Sequence, residues 1–428
     1  MESLFDHDHP VMKKILLVED DRFFGAMVLR KFSQENDLEI VWAKSLAECR
    51  EILTSGKHDF FAAVLDFNLP DAPRGEVIAE VIVHGIPVVV FTASSDAAVR
   101  EKVWSFNVVD YVFKEDAQSL EYLIYMIRRL EKNLQTKVMV VDDSSFFRKV
   151  LVDLLKTHLF QVLFASDGME AFALFEEHPD VKLILTDFEM PELNGLDLTR
   201  KLRQQYRRDE LAIIGISSAE DKMAAANFIK NGANDFIIKQ SFMTEEFYSR
   251  VTQNIESVER AQMILEMSIK DHLTGIYNRR YLFEAGVQLF ARARRQKTTM
   301  ACAMLDIDHF KKVNDNYGHD VGDLVLRRLG EILSENFRAT DIVARFGGEE
   351  FCVLAVDLDE SAAIKLFERL REKVAQLSLT TAKGENLSVT ISIGICTEIK
   401  GSLEQMIKMA DERLYVAKEG GRNRVVAK

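Results

Sequence analysis

Proline and cysteine are scarce in this chain, at six and four in 428 residues. So little proline leaves no room for proline-rich linkers or low-complexity tracts. Cys49, Cys302, Cys352 and Cys396 form no C-x-x-C pair. That excludes a disulfide framework and predicts reduced, mostly buried thiols of a cytoplasmic protein. No apolar run approaches the roughly 20 residues of a membrane span, and the start MESLFDHDHPVMKK lacks the apolar stretch of a signal peptide. An excess of positive charge is missing too. The net charge of −13 excludes a general nucleic-acid surface, since phosphate-backbone binding needs a basic face, and no helix-turn-helix tail is evident. An anionic ligand must therefore be held by local cations. Asp6-His7-Asp8-His9 has metal-binding chemistry but reads as part of an exposed tail.

What is present is globular, 47% hydrophobic and 29% charged, with a length that suits about three domains. Two stretches are copies of one another. KKILLVEDDRFF (13–24) returns as TKVMVVDDSSFF (136–147), and AAVLDFNLPDAPRG (62–75) returns as KLILTDFEMPELNG (182–195). VVVFTASSD and VDYVFKED return as AIIGISSAED and NDFIIKQS. The offset of about 121–125 residues is too long for a solenoid and marks a duplicated domain. Each copy alternates apolar strands with amphipathic helical stretches. This predicts a doubly wound α/β domain, a parallel sheet with helices on both faces.

In both copies the acidic and hydroxyl residues fall just after strands, where such sheets open their binding crevice. A helix N-cap could explain any one of them. It does not explain five chemical types recurring in order. Glu19, Asp20 and Asp66 would repel unless a hard cation such as Mg²⁺ lay among them. Asp66 is then a nucleophile toward a phosphoryl group, Thr92 a hydrogen-bond donor to it, and Lys114 its counter-charge. Asp142, Asp143, Asp187, Ser217 and Lys239 repeat the set.

This constellation resembles the receiver domain of two-component response regulators. The resemblance implies a five-stranded flavodoxin-like fold, phosphoacceptors at Asp66 and Asp187, and one Mg²⁺ per receiver. It adds the carbonyls of Asn68 and Glu189 as metal ligands and places Tyr111 and Phe236 at the aromatic switch position. The partner implied is a sensor histidine kinase or phosphotransfer protein. Two departures stand out: Glu115 and Gln240 replace the usual proline after the lysine, and the first copy has a shorter span between Asp66 and Thr92.

Leu120, Leu123, Ile127, Leu130 and Leu134 close the first copy at three-four spacing. Tyr248, Val251, Ile255, Val258, Gln262, Leu265 and Ile269 repeat that spacing over nearly three heptads. The early positions suit a helix on its own sheet, and the later ones a stalk that aligns two subunits.

From Asp271 the repeat is gone. The pattern predicts an α+β domain with a mainly antiparallel sheet: a strand over 300–308, a helix carrying Leu326, Leu329 and Leu333, and a hairpin at VARFGGEEFCVL. A helix over 361–377, a strand over 387–397 and a helix over 403–419 follow. Asp306 at the first strand's end, beside Glu349 and Glu350, offers oxygen ligands for Mg²⁺. Gly347 and Gly348 leave clearance for phosphates. Lys418 and Arg422, at i and i+4, supply cations on one helical face if the helix persists. Asn314 and Asp323 suit guanine, whose N1–H and amine form a donor pair that adenine lacks.

Through DHLTGIYNRR, DIDHFKKVNDNYGHDVGD, RFGGEEF, VTISIGI and AKEGGRNR this region resembles the GGDEF family, the diguanylate cyclases. The resemblance implies a fold related to nucleotidyl cyclases. It implies two Mg²⁺ held by Asp306, the Ile307 carbonyl, Glu349 and Glu350, one of the glutamates being the base. It implies guanine at Asn314 and Asp323, phosphates at Lys311, Lys418 and Arg422, and a homodimer joining two GTP. Arg338 and Asp341 resemble the family's R-x-x-D inhibitory product site, with Arg369 a further contact. The expected boundaries are receivers at 12–133 and 136–255, a stalk at 256–270 and the cyclase at 271–428. The competing expectation is a non-catalytic module that binds GTP or cyclic di-GMP and signals through a protein partner. Retention of Asp306, Gly347, Gly348, Glu349 and Glu350 weighs against it.

Overall fold

The computed structural model describes residues 12–55, 59–94, 96–115, 117–217, 222–380, 386–399 and 401–428. The Asp6–His9 cluster lies outside them. The chain divides into two compact units between Gln262 and Met263.

The first unit holds the duplicated domain. Copy one runs β1 (Lys13–Val18), α1 (Arg22–Phe32), β2 (Leu38–Ala43), α2 (Leu46–Thr54), β3 (Phe60–Leu65), α3 (Glu76–Ile82), β4 (Val88–Thr92), α4 (Ala97–Trp104), β5 (Asp110–Phe113) and α5 (Ala117–Asn133). Copy two runs β6 (Lys137–Val141), α6 (Ser145–Thr157), β7 (Gln161–Ala165), α7 (Gly168–Glu177), β8 (Val181–Asp187), α8 (Gly195–Arg203), β9 (Ala212–Ser217), α9 (Lys222–Lys230), β10 (Asp235–Ile238) and α10 (Thr244–Ile269). Both sheets are parallel, in the orders β2-β1-β3-β4-β5 and β7-β6-β8-β9-β10. This is the predicted doubly wound fold.

The two-residue period of a strand explains why β1 and β6 are apolar throughout. Leu16 and Val18 enter one core and Ile15 and Leu17 the opposite one. Val138 and Val140 are divided from Met139 and Val141 in the same way. Helix starts are capped just past the acidic pairs. Asp21 accepts from the Phe23 and Phe24 N–H groups, and Ser144 from Phe147.

Leu120, Leu123, Ile127 and Leu130 of α5 are buried in the first copy's core, whereas Leu134 lies past the helix and is exposed. In α10, Tyr248, Val251, Ile255 and Val258 are buried in the second copy's core. Past Val258 the burial of the helix ends: Met263, Ile264, Leu265 and Met267 are all exposed.

The two copies meet through α4, α5 and α10. Arg129, 3% exposed, donates from both terminal nitrogens to Glu259 at 2.7 and 3.1 Å. Asn133 donates to the His158 carbonyl at 2.9 Å. His158 stacks on Tyr248 with centroids 3.6 Å apart, and Trp104 packs on the same ring at 6.1 Å.

The second unit contains β11 (Tyr277–Asn278), α11 (Arg279–Gln296), β12 (Met300–Ile307), α12 (Phe310–Tyr317), α13 (His319–Asn336), β13 (Ile342–Gly347), β14 (Glu350–Val356) and α14 (Glu360–Ala375). It continues with β15 (Leu379–Thr380), β16 (Asn386–Leu387), β17 (Ile391–Cys396), α15 (Leu403–Glu419) and β18 (Val425–Val426). The main sheet is ordered β11-β13-β14-β12-β17-β18, antiparallel at its centre with a short parallel strand at each edge. All eight residues of β12 are buried. Ala301, Ala303, Leu305 and Ile307 join the core under α13 and α14, and Met300, Cys302 and Met304 the core under α11 and α15.

Two local expectations are corrected. The strand expected over 387–397 is split, because Asn386–Leu387 pairs with β15 while Ile391–Cys396 pairs with β12. The last helix ends at Glu419, before Gly420 and Gly421, so Lys418 and Arg422 do not share a helical face. Gly421 has φ +112° and Arg422 φ +64°, a left-handed reversal that no α-helix continues through.

Candidate functional site

Register places the two phosphoacceptor-type sites. Val18 pairs with Leu65 across β1 and β3, so the next residues, Glu19 and Asp66, emerge side by side. Val141 and Thr186 do the same for Asp142 and Asp187. Lys114, following β5, reaches Glu19 Oε2 at 2.5 Å and Asp66 Oδ2 at 2.6 Å. Lys239 reaches Asp142 at 2.7 Å and Asp187 at 2.8 Å. Burial pushes the Glu19 carboxyl up to about 7 against the pull of Lys114, and burial likewise raises Asp187.

In each site three carboxylates, Glu19, Asp20 and Asp66 or Asp142, Asp143 and Asp187, bring ligand oxygens within 4.8 Å of one another. An all-oxygen set of this kind fits a hard divalent cation. Thr92 and Ser217, at the ends of β4 and β9, are buried. Asn68 and Glu189 stand exposed just past the acceptor strands. The Tyr111 hydroxyl donates to the Ser94 carbonyl, and Phe236 packs on Phe228 at 5.9 Å. A cavity of about 420 Å³ adjoins Asp143, Glu189 and Asn194.

In the second unit the antiparallel register sets Asp306 directly opposite Glu350 on one side and Ser392 on the other. Lys418 Nζ lies 2.6 Å from Asp306 Oδ2. Burial raises the Asp306 carboxyl to about 6. Lys418 opposes the rise, and the charges of Glu349 and Glu350 add to it.

The hairpin tip is open. A Cβ at Gly347 or Gly348 would meet nothing within 4 Å, and only Gly348 has a left-handed φ, +54°. No protein neighbour therefore demands glycine at Gly347. Asn314 on α12 lies against Gly322 of α13, where a Cβ would come within 2.0 Å of its side-chain oxygen. That contact brings Asn314 next to the turn of α13 bearing Asp323. Lys311 and Arg422 are exposed.

Asp341 accepts from the backbone N–H of Arg338 at 3.0 Å and of Val356 at 3.2 Å, so its carboxylate ties a turn to a strand while Arg338 stays exposed. A cavity of about 280 Å³ adjoins Asp341, Arg292 and the stacked pair Tyr277 and Tyr281. Arg369 is exposed on α14.

Several residues of evident importance were not singled out from the sequence. Arg345 donates to the Gly348 carbonyl at 2.9 Å and to Asp271 at 3.1 Å, bracing the tip. Burial works against the Asp271 charge, but hydrogen bonds from Thr274 and Arg345 outweigh it and hold that carboxyl below its ordinary value. Asp308 is 5% exposed and accepts from three donors. The second carboxylate of DIDHF was the available signal for it.

Two carboxylate–lysine sites on doubly wound sheets, followed by an α+β unit with acids beside an open Gly-Gly tip, define a response regulator with an enzyme-like output domain. The response regulator receiver domain profile matches residues 15–125 and 138–252, together more than half the chain, and the diguanylate cyclase GGDEF domain profile matches 268–424. The chain belongs to the response regulator receiver family and carries a C-terminal GGDEF diguanylate cyclase domain.

It is similar to the response regulator PleD of Caulobacter vibrioides, 33% identical over 311 residues that cover 68% of this chain and 66% of that protein. It is 38% identical to the diguanylate cyclase DosC of Escherichia coli over 157 residues, 36% of this chain and 34% of that one. The matches thus span just under two thirds of one relative and a third of the other. A solved two-component response regulator/GGDEF domain protein aligns with a TM-score of 0.51 at 38% identity, covering 58% of this chain and 99% of that one. Among the described residues no helix is long and apolar enough to cross a membrane.

Proposed function

We propose that this protein is a phosphorylation-regulated cytoplasmic diguanylate cyclase that condenses two GTP into cyclic di-GMP and two pyrophosphates. Its working parts are receivers at 12–133 and 136–255, a helical stalk at 256–270 and a cyclase at 271–428. The observation that carries the reading is the Asp306–Glu350 cross-strand pair beside the open Gly347–Gly348 tip.

Asn314 and Asp323 orient guanine, and Lys311, Lys418 and Arg422 grip phosphate oxygens. Asp306, the Ile307 carbonyl, Glu349 and Glu350 would hold two Mg²⁺ ions, which when bound neutralise the triphosphate and acidify the 3′-hydroxyl. Two domains face each other in a homodimer, each presenting one GTP. One glutamate takes the 3′-hydroxyl proton, and that oxygen bonds to the partner's α-phosphorus as the bond to pyrophosphate breaks. Positioning supplies most of the acceleration.

A sensor histidine kinase or phosphotransfer protein loads Asp66 or Asp187, where Glu19 and Asp20 or Asp142 and Asp143, with the Asn68 or Glu189 carbonyl, would hold one Mg²⁺ per site. Thr92 with Lys114 and Tyr111, or Ser217 with Lys239 and Phe236, then report the phosphoryl group, and the stalk alters how the cyclase domains meet. Product bound at Arg338 and Asp341, with Arg369, holds those domains apart.

The deciding experiment incubates purified protein with GTP, Mg²⁺ and beryllofluoride and assays cyclic di-GMP. GTP binding without product would sink the enzymatic reading and leave a nucleotide-binding signalling module.

A further inference from the structure

We propose that Asp308 is a positioning residue that aims the phosphate-binding loop of Arg422 at the nucleotide; this rests on the GTP-binding reading above. Asp308 follows β12 two residues after Asp306, and its backbone N–H donates to the Thr390 carbonyl at 2.9 Å. Its side chain is buried and meets neutral donors. Oδ1 accepts from Ser392 Oγ at 2.6 Å, and Oδ2 from Thr390 Oγ1 at 2.7 Å and the Asn423 N–H at 3.0 Å.

The last bond matters because of where it ends. Arg422 and Asn423 both adopt left-handed backbone, φ +64° and +44°, which residues with a Cβ disfavour. Such a turn persists only where its surroundings hold it. The Asp308 carboxylate holds it from the strand that bears Asp306. Arg422 N–H bonds to the Ala417 carbonyl at 3.0 Å, Arg371 reaches the Asn423 side chain at 2.9 Å, and Ile393 N–H reaches the Arg424 carbonyl at 2.9 Å. One carboxylate thereby links the acidic strand to the loop that carries the exposed guanidinium. Without it the loop relaxes toward ordinary backbone and Arg422 loses its aim.

The test measures equilibrium binding of a fluorescent non-hydrolysable GTP analogue, with Mg²⁺, to the full chain. Asp308→Ala is expected to weaken binding about tenfold. Arg422→Ala should do the same, and the double variant should be no weaker than either single one. Asp308→Asn should stay within about threefold of wild type, since its carbonyl oxygen can face Asn423 while its amide donates to Ser392. Should Asp308→Ala fail to fold by circular dichroism, Asp308→Ser takes its place and is held to the same outcomes.

Losses that multiply in the double variant, an Asn variant as weak as the Ala one, or unchanged affinity in Asp308→Ala each overturn the proposal. Wild-type protein that captures the analogue but forms no cyclic di-GMP from GTP with Mg²⁺ and beryllofluoride refutes the cyclase reading alone. Failure to capture it at all overturns both.

Discussion

Lys418 Nζ rests 2.6 Å from Asp306 Oδ2, so the cation expected to grip phosphate pairs with the carboxylate expected to hold metal. In the proposed function, bound nucleotide and metal would exchange that pairing for their own. Asp306→Asn should therefore lower cyclic di-GMP formation at least about a hundredfold, the size of a lost metal contact. Its unfolding free energy in urea should change by less than about 1 kcal/mol, because a buried carboxylate is costly to fold. Turnover near wild type in that variant would rule Asp306 out as a metal ligand.

Arg129 of α5 and Glu259 of α10 join the two copies through a two-nitrogen contact at 2.7 and 3.1 Å, with Arg129 almost wholly buried. Arg129→Ala leaves Glu259 with Lys182 at 3.3 Å as its remaining partner. The expected cost is about 3 kcal/mol in urea denaturation. A double-mutant cycle with Glu259→Gln should show coupling well above that of an exposed pair. Independent, additive losses would mean that the contact does not hold the copies together.

His158 lies buried against Tyr248, and burial lowers its imidazole to about 3. The unfolded chain takes up the proton first, near the ordinary value of about 6.5. Its stabilising contribution is therefore complete above pH 6.5 and is lost as pH falls from there toward 3, by about 1.4 kcal/mol per unit. Unfolding free energies measured between pH 7 and 4 should fall more steeply for wild type than for His158→Phe. Parallel curves would refute this.

Both receiver sites place a lysine on two carboxylates with a third nearby. Acetyl phosphate with Mg²⁺ should label both Asp66 and Asp187. Asp66→Asn and Asp187→Asn should each lose one of the two labelled sites, and the double variant both. Chelation should abolish labelling while far-ultraviolet circular dichroism stays unchanged, since the cores lie beneath the sites. A single variant that removes all label would show that only one copy accepts phosphate.

Much of this was legible in the sequence, because strand period, repeat and strand-end chemistry are local signals. The duplicated sheets, the Asp306 strand and the hairpin emerge where those signals put them. What escaped depends on distance or backbone torsion. Nothing near Arg129 points to Glu259, and Trp104, His158 and Tyr248 meet only after two copies fold. Spacing alone put Lys418 and Arg422 on one helical face, but two glycines end the helix between them. Likewise the apolar series in α10 continues smoothly, while its burial stops after Val258.

The caps of α1 and α6 carry one further consequence. Asp21 and Ser144 cap the helix starts with their side chains, while Glu19 and Asp142 accept the backbone N–H of those capping residues at 3.3 and 2.9 Å. The first N–H groups of each helix are thus satisfied by a side chain outside the acidic pair. Either copy can change its acids, as Glu19 against Asp142 already illustrates, and remain an intact domain. A receiver that lost its chemistry this way would survive as a spacer, leaving the other to carry the signal alone.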